Sequence, residues 1–127
     1  MDRSVRILVR QRAENTCEYC KLAQLAAPLT AFHVEHIIAR QHGGGDDPSN
    51  LALAYFHCNL HKGPNLSGID PATGTIVPLF NPRTEHWDDH FELTEAWIVG
   101  RTATGRATVA VLAMNADDLC QLRIDSR

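Results

Sequence analysis

The sequence predicts a small domain of the α+β class, and three observations lead to this prediction. The chain has 127 residues, 44% hydrophobic and 21% charged, which is the composition of one ordinary soluble domain. Segments with helical spacing of apolar residues are interspersed with short segments in which apolar and polar residues alternate. Turn-forming stretches rich in glycine and proline separate these segments, without a repeat or a low-complexity tract. We therefore expect a single domain over residues 1–127.

The first half of the chain predicts a helix, a two-stranded hairpin and a second, short helix. Val5, Leu8 and Val9 follow helical spacing, and Ser4 precedes them as the expected N-cap. The hairpin has an alternating first strand, a loop with three consecutive glycines, and an apolar second strand. The predicted ranges are 4–14 for the first helix, 30–38 and 51–55 for the strands, 41–50 for the loop and 57–62 for the second helix.

The second half of the chain predicts shorter elements. A turn-rich stretch over 65–74 leads to a strand over 75–80, and further strands are expected over 97–99 and 107–112. A helix over 84–93 would place His86 and His90 on one face. Asn115 is the expected N-cap of a last helix that ends near Leu122.

Neither a membrane segment nor an export signal is expected. The apolar stretch 107–114 is far shorter than the roughly 20 residues that cross a bilayer. The first residues alternate apolar side chains with arginines, whereas a secretory signal has a continuous apolar region. We therefore expect a cytoplasmic protein without membrane contact.

Charge is distributed unevenly along the chain. The formal net charge is −3, yet residues 1–40 carry six basic and four acidic side chains. Residues 84–127 carry four basic and eight acidic side chains. A polyanion would therefore approach the N-terminal half. Five of the seven histidines lie between His33 and His61, so this window is where chemistry is expected.

The pair Cys17 and Cys20 is typical of half a zinc site, because two thiolates at this spacing reach one tetrahedral ion at about 2.3 Å. Cys58 is the expected third ligand, and His57 is a candidate for the fourth. Tyr55 stands where a second C-x-x-C pair would have its first thiol. The alternative is that the cysteines are small buried side chains of a reducing cytosol.

Glu35 and His36 lie in the first predicted strand and have the residue types of a hydrolytic metal site. A carboxylate can hold a divalent ion while the neighbouring imidazole takes a proton from water. Asn50, after the Gly-rich loop, can fix the imidazole, and Asn59 on the second helix can supply an oxygen to the metal. Taken singly, each of these residues also has a purely structural explanation.

These elements, in this order, resemble the HNH endonuclease family. The resemblance covers residues 17–63 and rests on Cys17-Glu18-Tyr19-Cys20, Val34-Glu35-His36-Ile37-Ile38, Gly43-Gly44, Asn50-Leu51 and Cys58-Asn59-Leu60-His61-Lys62-Gly63. It implies a ββα-metal core, also called a His-Me finger, with an N-terminal helix and a C-terminal strand and helix extension over 64–127.

The resemblance also implies a role for each residue. His36 would be the general base that activates water, Asn50 would orient it, and His61 would act at the phosphate beside it. One divalent ion, Mg²⁺ or else Mn²⁺ or Ni²⁺, would be held by Glu35 and Asn59. A structural Zn²⁺ would be held by Cys17, Cys20, Cys58 and His57 or water, and the residues expected to contact nucleic acid are Lys62, Arg40 and Arg10.

The predicted function is metal-dependent hydrolysis of DNA phosphodiester bonds. The alternative is a degenerate HNH or zinc-binding module that binds DNA or protein without cleavage. A small redox or metal-sensing protein built on Cys17 and Cys20 is a third hypothesis, but it leaves His36, Asn50 and Asn59 without a role. Nucleases that act alone on DNA usually have a basic surface, so a partner protein is considered beside DNA, and a homodimer would be needed for paired cuts.

Overall fold

Three antiparallel hairpins and five helices make up the fold, which a computed structural model describes over residues 1–126. The helices are α1 (Arg3–Arg12), α2 (Phe56–Lys62), α3 (Trp87–His90), α4 (Ala103–Val111) and α5 (Asp117–Asp125). The strands are β1 (Phe32–His36), β2 (Leu51–Tyr55), β3 (Ser67–Ile69), β4 (Ile76–Pro78), β5 (Phe91–Thr94) and β6 (Trp97–Gly100). Short 3-10 turns cover Gln24–Ala26, Arg40–His42 and Pro48–Asn50. The predicted α+β class is confirmed.

The first hairpin and the helix after it have the order ββα. β1 pairs antiparallel with β2, so that Phe32 lies opposite Tyr55 and His36 lies opposite Leu51. All residues of β2 are buried, because α1 and α2 both pack against this hairpin. The predicted bounds of β2 are confirmed, whereas β1 is shorter at both ends than the predicted range 30–38.

α1 begins one residue earlier than predicted, because Asp2 caps it. The Asp2 carboxylate accepts hydrogen bonds from the backbone N–H groups of Ser4 and Val5, at 2.7 and 3.3 Å. Ser4 therefore lies inside the first turn, and its prediction as N-cap is wrong. Val9 is fully buried and anchors the helix on the hairpin.

The helix predicted over 84–93 is a single turn, because Phe91 begins a strand. Phe91 is buried and pairs with Gly100 in the β5–β6 hairpin. His86 precedes α3 and is exposed, whereas Nδ1 of His90 is 2.6 Å from Oγ1 of Thr102. The predicted pairing of the two histidines on one helix face is therefore wrong.

The strand predicted over 107–112 is also wrong, since these residues belong to α4 and its C-cap. Oγ1 of Thr102 caps this helix by accepting a hydrogen bond from the N–H of Gly105 at 3.0 Å. A β-carbon at Gly105 would overlap the carbonyl oxygen of His90, so only glycine allows this close approach. Gly105, Thr108 and Leu112 are buried at helical spacing, which the apolar run also permits.

The turn-rich stretch 65–74 contains the strand β3, which the sequence did not predict. β3 pairs with β4 across the turn over residues 70–75, which begins at Asp70. Asp70 is buried, and its carboxylate accepts two hydrogen bonds from Arg106 of α4, both at 2.9 Å. These hydrogen bonds hold the pKa of Asp70 far below its usual range and fasten the β3–β4 hairpin to α4.

Aromatic contacts connect the ββα unit with the C-terminal elements. Tyr19 and Phe80 pack edge to face at 6.4 Å between ring centroids, and Phe80 packs against Phe91 at 5.2 Å. The indole N–H of Trp87 donates to the carbonyl of Tyr19 at 2.7 Å.

Each helix within residues 1–126 is too short or too polar to span a bilayer.

Asn115 does not cap α5, which begins at Asp117 without a side-chain cap. Instead, its amide oxygen accepts from the N–H of Ile98 and its amide N–H donates to the carbonyl of Ile98, both at 2.8 Å. The side chain thus takes the place of a neighbouring strand for β6. The prediction of a helix cap failed because an asparagine amide can equally well form hydrogen bonds with the free backbone groups at the edge of a strand.

We expect Asn115→Ala to lower the free energy of unfolding by about 1–3 kcal/mol, because both hydrogen bonds to Ile98 are lost. Ile98 is 1% exposed, so water does not replace the missing partners. Denaturation in urea measures the change. Asn65→Ala, at an exposed position, is the control and should change it by less than about 0.5 kcal/mol. Equal effects of the two substitutions would refute the role of Asn115.

Candidate active site and metal centre

His36 lies at the end of β1, where the chain leaves the hairpin for the Gly-rich loop. Its Nε2 atom is 2.7 Å from Oδ1 of Asp46 in that loop, and the side chain is 20% exposed. This hydrogen bond is the main cause that lowers the pKa of Asp46. Nδ1 of His36 has no hydrogen-bond partner within residues 1–126, so this nitrogen is available to accept a proton.

Asn50 closes the loop between β1 and β2. Its amide oxygen accepts from the N–H of Ile38 at 2.8 Å, and its amide N–H₂ donates to the carbonyls of Ile38 and Gly45 at 3.0 and 2.9 Å. A β-carbon at Gly44 would overlap the Ile38 carbonyl, so the loop crosses itself closely at this glycine. The Asn50 side chain therefore makes its hydrogen bonds to the loop backbone at Ile38 and Gly45.

A groove of about 580 Å³ runs beside β1 and brings several predicted site residues together. Glu35 and His36 of β1, Arg40 after it, and Asn59 of α2 all line this groove. Glu35 and His36 are neighbours in β1, and the packing of α2 against this hairpin brings Asn59 to the same groove. Asn59 and Glu35 supply amide and carboxylate oxygens, which are the donors that Mg²⁺ accepts.

Glu35 is only 6% exposed and is held by two side chains. The hydroxyl of Tyr19 donates to Oε1, and Nζ of Lys62 lies 3.4 Å from Oε2. Burial raises the pKa of Glu35, while the Lys62 charge and the hydrogen bonds oppose this rise. The carboxylate is thus buried and held in one orientation by Tyr19 and Lys62.

Lys62 is buried, at 2% exposure, which contradicts its predicted contact with phosphate. Its ammonium donates to the carbonyl of Ile37 at 2.9 Å and pairs with Glu35. A buried cation must be paired, and all of its partners lie on or directly after β1. Lys62 therefore joins the end of α2 to the end of β1 and does not face a nucleic acid.

The thiols of Cys17, Cys20 and Cys58 form a buried cluster, with the three sulfur atoms within 4.8 Å of one another. Three sulfurs on one tetrahedral zinc ion lie about 3.8 Å apart, so this spacing fits a metal ion. Burial disfavours a thiolate, yet hydrogen bonds from Cys20 and Cys58 hold the pKa of Cys17 well below its ordinary value. The cluster can therefore bind a metal such as zinc.

Glu18 anchors the C-x-x-C turn to the hairpin. Its N–H donates to the carbonyl of Leu53 at 2.9 Å, and its Oε2 atom accepts from the N–H of Leu53 at 2.8 Å. The guanidinium of Arg83 pairs with the other oxygen, Oε1. These contacts present Cys17 and Cys20 to Cys58 at the start of α2.

His57 lies outside the thiol cluster, which corrects its prediction as the fourth zinc ligand. Its Nε2–H donates to the carbonyl of Ala113 at 2.9 Å, and its ring stacks on that of His61 at 4.0 Å. His57 is the second residue of α2. Its ring lies toward the C-terminal elements, because the Ala113 carbonyl accepts a hydrogen bond from Nε2–H. Tyr55, three residues before Cys58, is buried and packs on Phe32.

The remaining predicted residues differ in their freedom to meet a nucleic acid. Arg40 is 66% exposed at the groove, where its guanidinium donates to both oxygens of Asp46, at 2.7 and 3.0 Å. Arg10 is half-buried, because its guanidinium donates to the carbonyl of Phe32 at 3.0 Å. His61 is exposed, and its Nδ1–H donates to the carbonyl of His57.

Asp46 and Tyr19 contact the site although the sequence did not single them out. Asp46 is one of two consecutive aspartates after the glycines, and no pattern indicates which of them faces His36. Tyr19 is the third residue of the C-x-x-C turn and reaches Glu35 only because the turn packs against β1. Both contacts join residues that are distant in the sequence, so no local sequence pattern predicts them.

The order β1, β2, α2 is that of a ββα-metal core. Residues 17–65 match the family model described as HNH endonuclease. The chain therefore contains a domain of the HNH endonuclease family over these residues. No curated protein and no solved structure matches the chain.

We expect Gly44→Ala to open the loop that Asn50 closes, because the new methyl group would overlap the Ile38 carbonyl. The free energy of unfolding should fall by about 1–3 kcal/mol, and the Ile38 amide, which donates to Asn50, should exchange its hydrogen faster. Gly45→Ala is the matched control, since a β-carbon there meets no atom within 4 Å. A Gly44→Ala protein as stable as Gly45→Ala would disprove the close crossing.

Proposed function

We propose that the protein is a metal-dependent endonuclease that hydrolyses phosphodiester bonds of DNA. The observation that carries this proposal is the groove lined by Glu35 and His36 of β1 and by Asn59 of α2. The match of residues 17–65 to the HNH endonuclease model supports the same chemistry.

His36 is proposed as the general base. Nδ1, which is without a partner among the described residues, would take a proton from a water molecule in the groove. The resulting hydroxide would attack the phosphorus atom, the bond to the 3′ leaving oxygen would break, and that oxygen would take a proton from a solvent water molecule. Asn50 contributes by fixing the loop that carries Asp46, the hydrogen-bond partner of His36.

Glu35 and Asn59 are proposed to hold one divalent ion. They line the same groove and offer carboxylate and amide oxygens, which suits Mg²⁺, with Mn²⁺ or Ni²⁺ as substitutes. When bound, such an ion would neutralise the negative charge that develops at the phosphate and the leaving oxygen. Tyr19 and Lys62 keep the Glu35 side chain in one orientation, so that its position does not depend on the ion.

Cys17, Cys20 and Cys58 are proposed to hold a structural zinc ion, with water as the fourth ligand. The burial of all three thiols and their mutual distances support this assignment. The ion would join the C-x-x-C turn to the start of α2. Because the site needs both segments in place, metal binding would add to the stability of the fold.

DNA is the proposed partner, and α1 with the rim of the groove is the proposed contact surface. The four arginines of α1 have no carboxylate within 4.0 Å in the part of the chain that the structure describes. Arg40 pairs with Asp46 and lies exposed at the groove. Phosphate groups would be bound by Arg10, Arg40 and His61. Cleavage of both strands would need a second active site, supplied by a homodimer or a partner protein.

The first test is incubation of the full chain with supercoiled plasmid in Mg²⁺, Mn²⁺, Ni²⁺ or EDTA. We expect nicking that depends on the metal and a rate lowered by at least about 10²-fold in His36→Ala, because the general base is removed. His86→Ala, at an exposed position away from the groove, should cleave at the wild-type rate. Agarose gels of the time course measure both rates.

The main competing function is a module of the same fold that binds DNA or protein without cleavage. The pairing of Glu35 with Lys62 favours it, because an ammonium group already neutralises the proposed metal ligand. Plasmid binding without nicking in any metal, with no change in His36→Ala, would establish this alternative and refute the endonuclease.

The zinc assignment predicts about one Zn²⁺ per chain in protein purified without chelator, as measured by elemental analysis. Cys58→Ser should lose the ion, and its melting temperature should fall because metal binding no longer stabilises the fold. Cys120→Ser is the control, since Cys120 lies outside the cluster, and it should retain the ion. A zinc-free wild-type protein, or equal zinc in both variants, would refute the site.

A further inference from the structure

We infer that Asp46 is a positioning residue for His36. The Asp46 carboxylate selects the Nε2–H tautomer of the His36 ring and leaves Nδ1 as the nitrogen that accepts the proton. The inference rests on the proposed function, because it assigns the proton-accepting atom of the proposed general base. It adds a residue that the HNH motifs of the sequence do not include.

The geometry of the contact determines the tautomer. An ionised carboxylate only accepts hydrogen bonds, so the proton shared between Nε2 and Oδ1, 2.7 Å apart, belongs to the ring. A neutral imidazole with a proton on Nε2 has its lone pair on Nδ1. Nδ1 lacks a partner within residues 1–126 and is therefore the nitrogen that can take a proton from water.

Asp46 is itself held from several sides. Arg40 donates to both of its oxygens, at 2.7 and 3.0 Å, and the amino group of Met1 lies 3.6 Å from Oδ2. The residue before it, Gly45, is bonded through its carbonyl to the side chain of Asn50 at 2.9 Å. The Asp46 carboxylate therefore has a fixed orientation. Because it contacts Nε2 of His36, it also fixes the orientation of the His36 ring.

The contact would also stabilise the product of the proton transfer. When Nδ1 takes a proton, the ring becomes positively charged, and an adjacent carboxylate lowers the energy of that charge. Its effect is therefore expected on the rate of the chemical step more than on DNA binding.

The neighbouring aspartate supplies a matched control. Oδ1 of Asp47 accepts from the N–H and the hydroxyl of Ser49, at 2.9 and 2.8 Å, and does not contact His36. Asp46 and Asp47 thus have the same charge and the same loop, but only the first meets the imidazole. Substitutions at the two positions separate a loss of charge in the loop from a loss of the contact.

The kinetic test compares Asp46→Ala, Asp46→Asn and Asp47→Ala in plasmid nicking by the full chain. For Asp46→Ala we expect kcat to fall about 10- to 100-fold while KM changes by less than about 2-fold. Asp46→Asn should be intermediate, because its amide oxygen still accepts from Nε2–H but carries no charge. Asp47→Ala should stay within about 2-fold of wild type.

The spectroscopic test determines the His36 tautomer from the ¹⁵N chemical shifts of the ring in metal-free protein. We expect Nε2–H in the wild type, Asp46→Asn and Asp47→Ala, and a mixture of both tautomers in Asp46→Ala. A role of Asp46 in the fold alone would not move this signal. Backbone amide spectra verify that each variant is folded, and Asp46→Asn, which keeps the shape of the side chain, replaces Asp46→Ala if the latter unfolds.

Two results would overturn the inference while the proposed function stands: an active wild type with equal kcat in Asp46→Ala, or a wild-type ring protonated on Nδ1. A wild type that nicks plasmid in none of the metals overturns the proposed function and, with it, the catalytic meaning of the contact. In that case the tautomer measurement still separates the two failures, because it needs no activity.

Discussion

The site depends on the contacts of the buried Lys62 ammonium group with the end of β1. A cation removed from water is costly unless it is paired, and the partners here are the Glu35 carboxylate and the Ile37 carbonyl. Lys62 is the last residue of α2, whereas its partners belong to the end of β1. The need to satisfy this charge fixes α2 against β1. Asn59, one turn earlier in α2, is therefore placed in the same groove as His36.

A second buried connection joins the C-x-x-C turn to both halves of the chain. Glu18 pairs with the backbone of Leu53 in β2 and with Arg83 in the C-terminal extension. Tyr19, the next residue, reaches Glu35 with its hydroxyl group and packs on Phe80 with its ring. The turn that presents the thiols thus also supports the Glu35 carboxylate. Distortion of the thiol cluster is expected to disturb the groove through these two residues.

The sequence predicted the parts of the fold that depend on local patterns. The bounds of β2, the ββα order and the thiol cluster follow from alternation, turn residues and short spacings. It failed where a tertiary contact decides between two local choices, as in α4, whose apolar run over 107–112 suits a strand or a buried helix face equally well. It also failed where a polar residue is used inside the fold, since neither the burial of Lys62 nor the pairing of Asn115 with Ile98 has a local pattern.

The negative net charge of the chain conceals a local excess of positive charge. Lys62, Arg83, Arg101 and Arg106 each pair with a carboxylate of the same chain, so these cations add little to the outer field. The arginines of α1 have no such partner within residues 1–126, and α1 packs on the hairpin that carries His36. Long-range steering by exposed charge acts within about 10 Å at ordinary ionic strength, so the uncompensated arginines near the hairpin matter more to a polyanion than the net charge. An acidic chain of this kind can therefore carry a basic helix beside the hairpin on which the proposed chemistry depends.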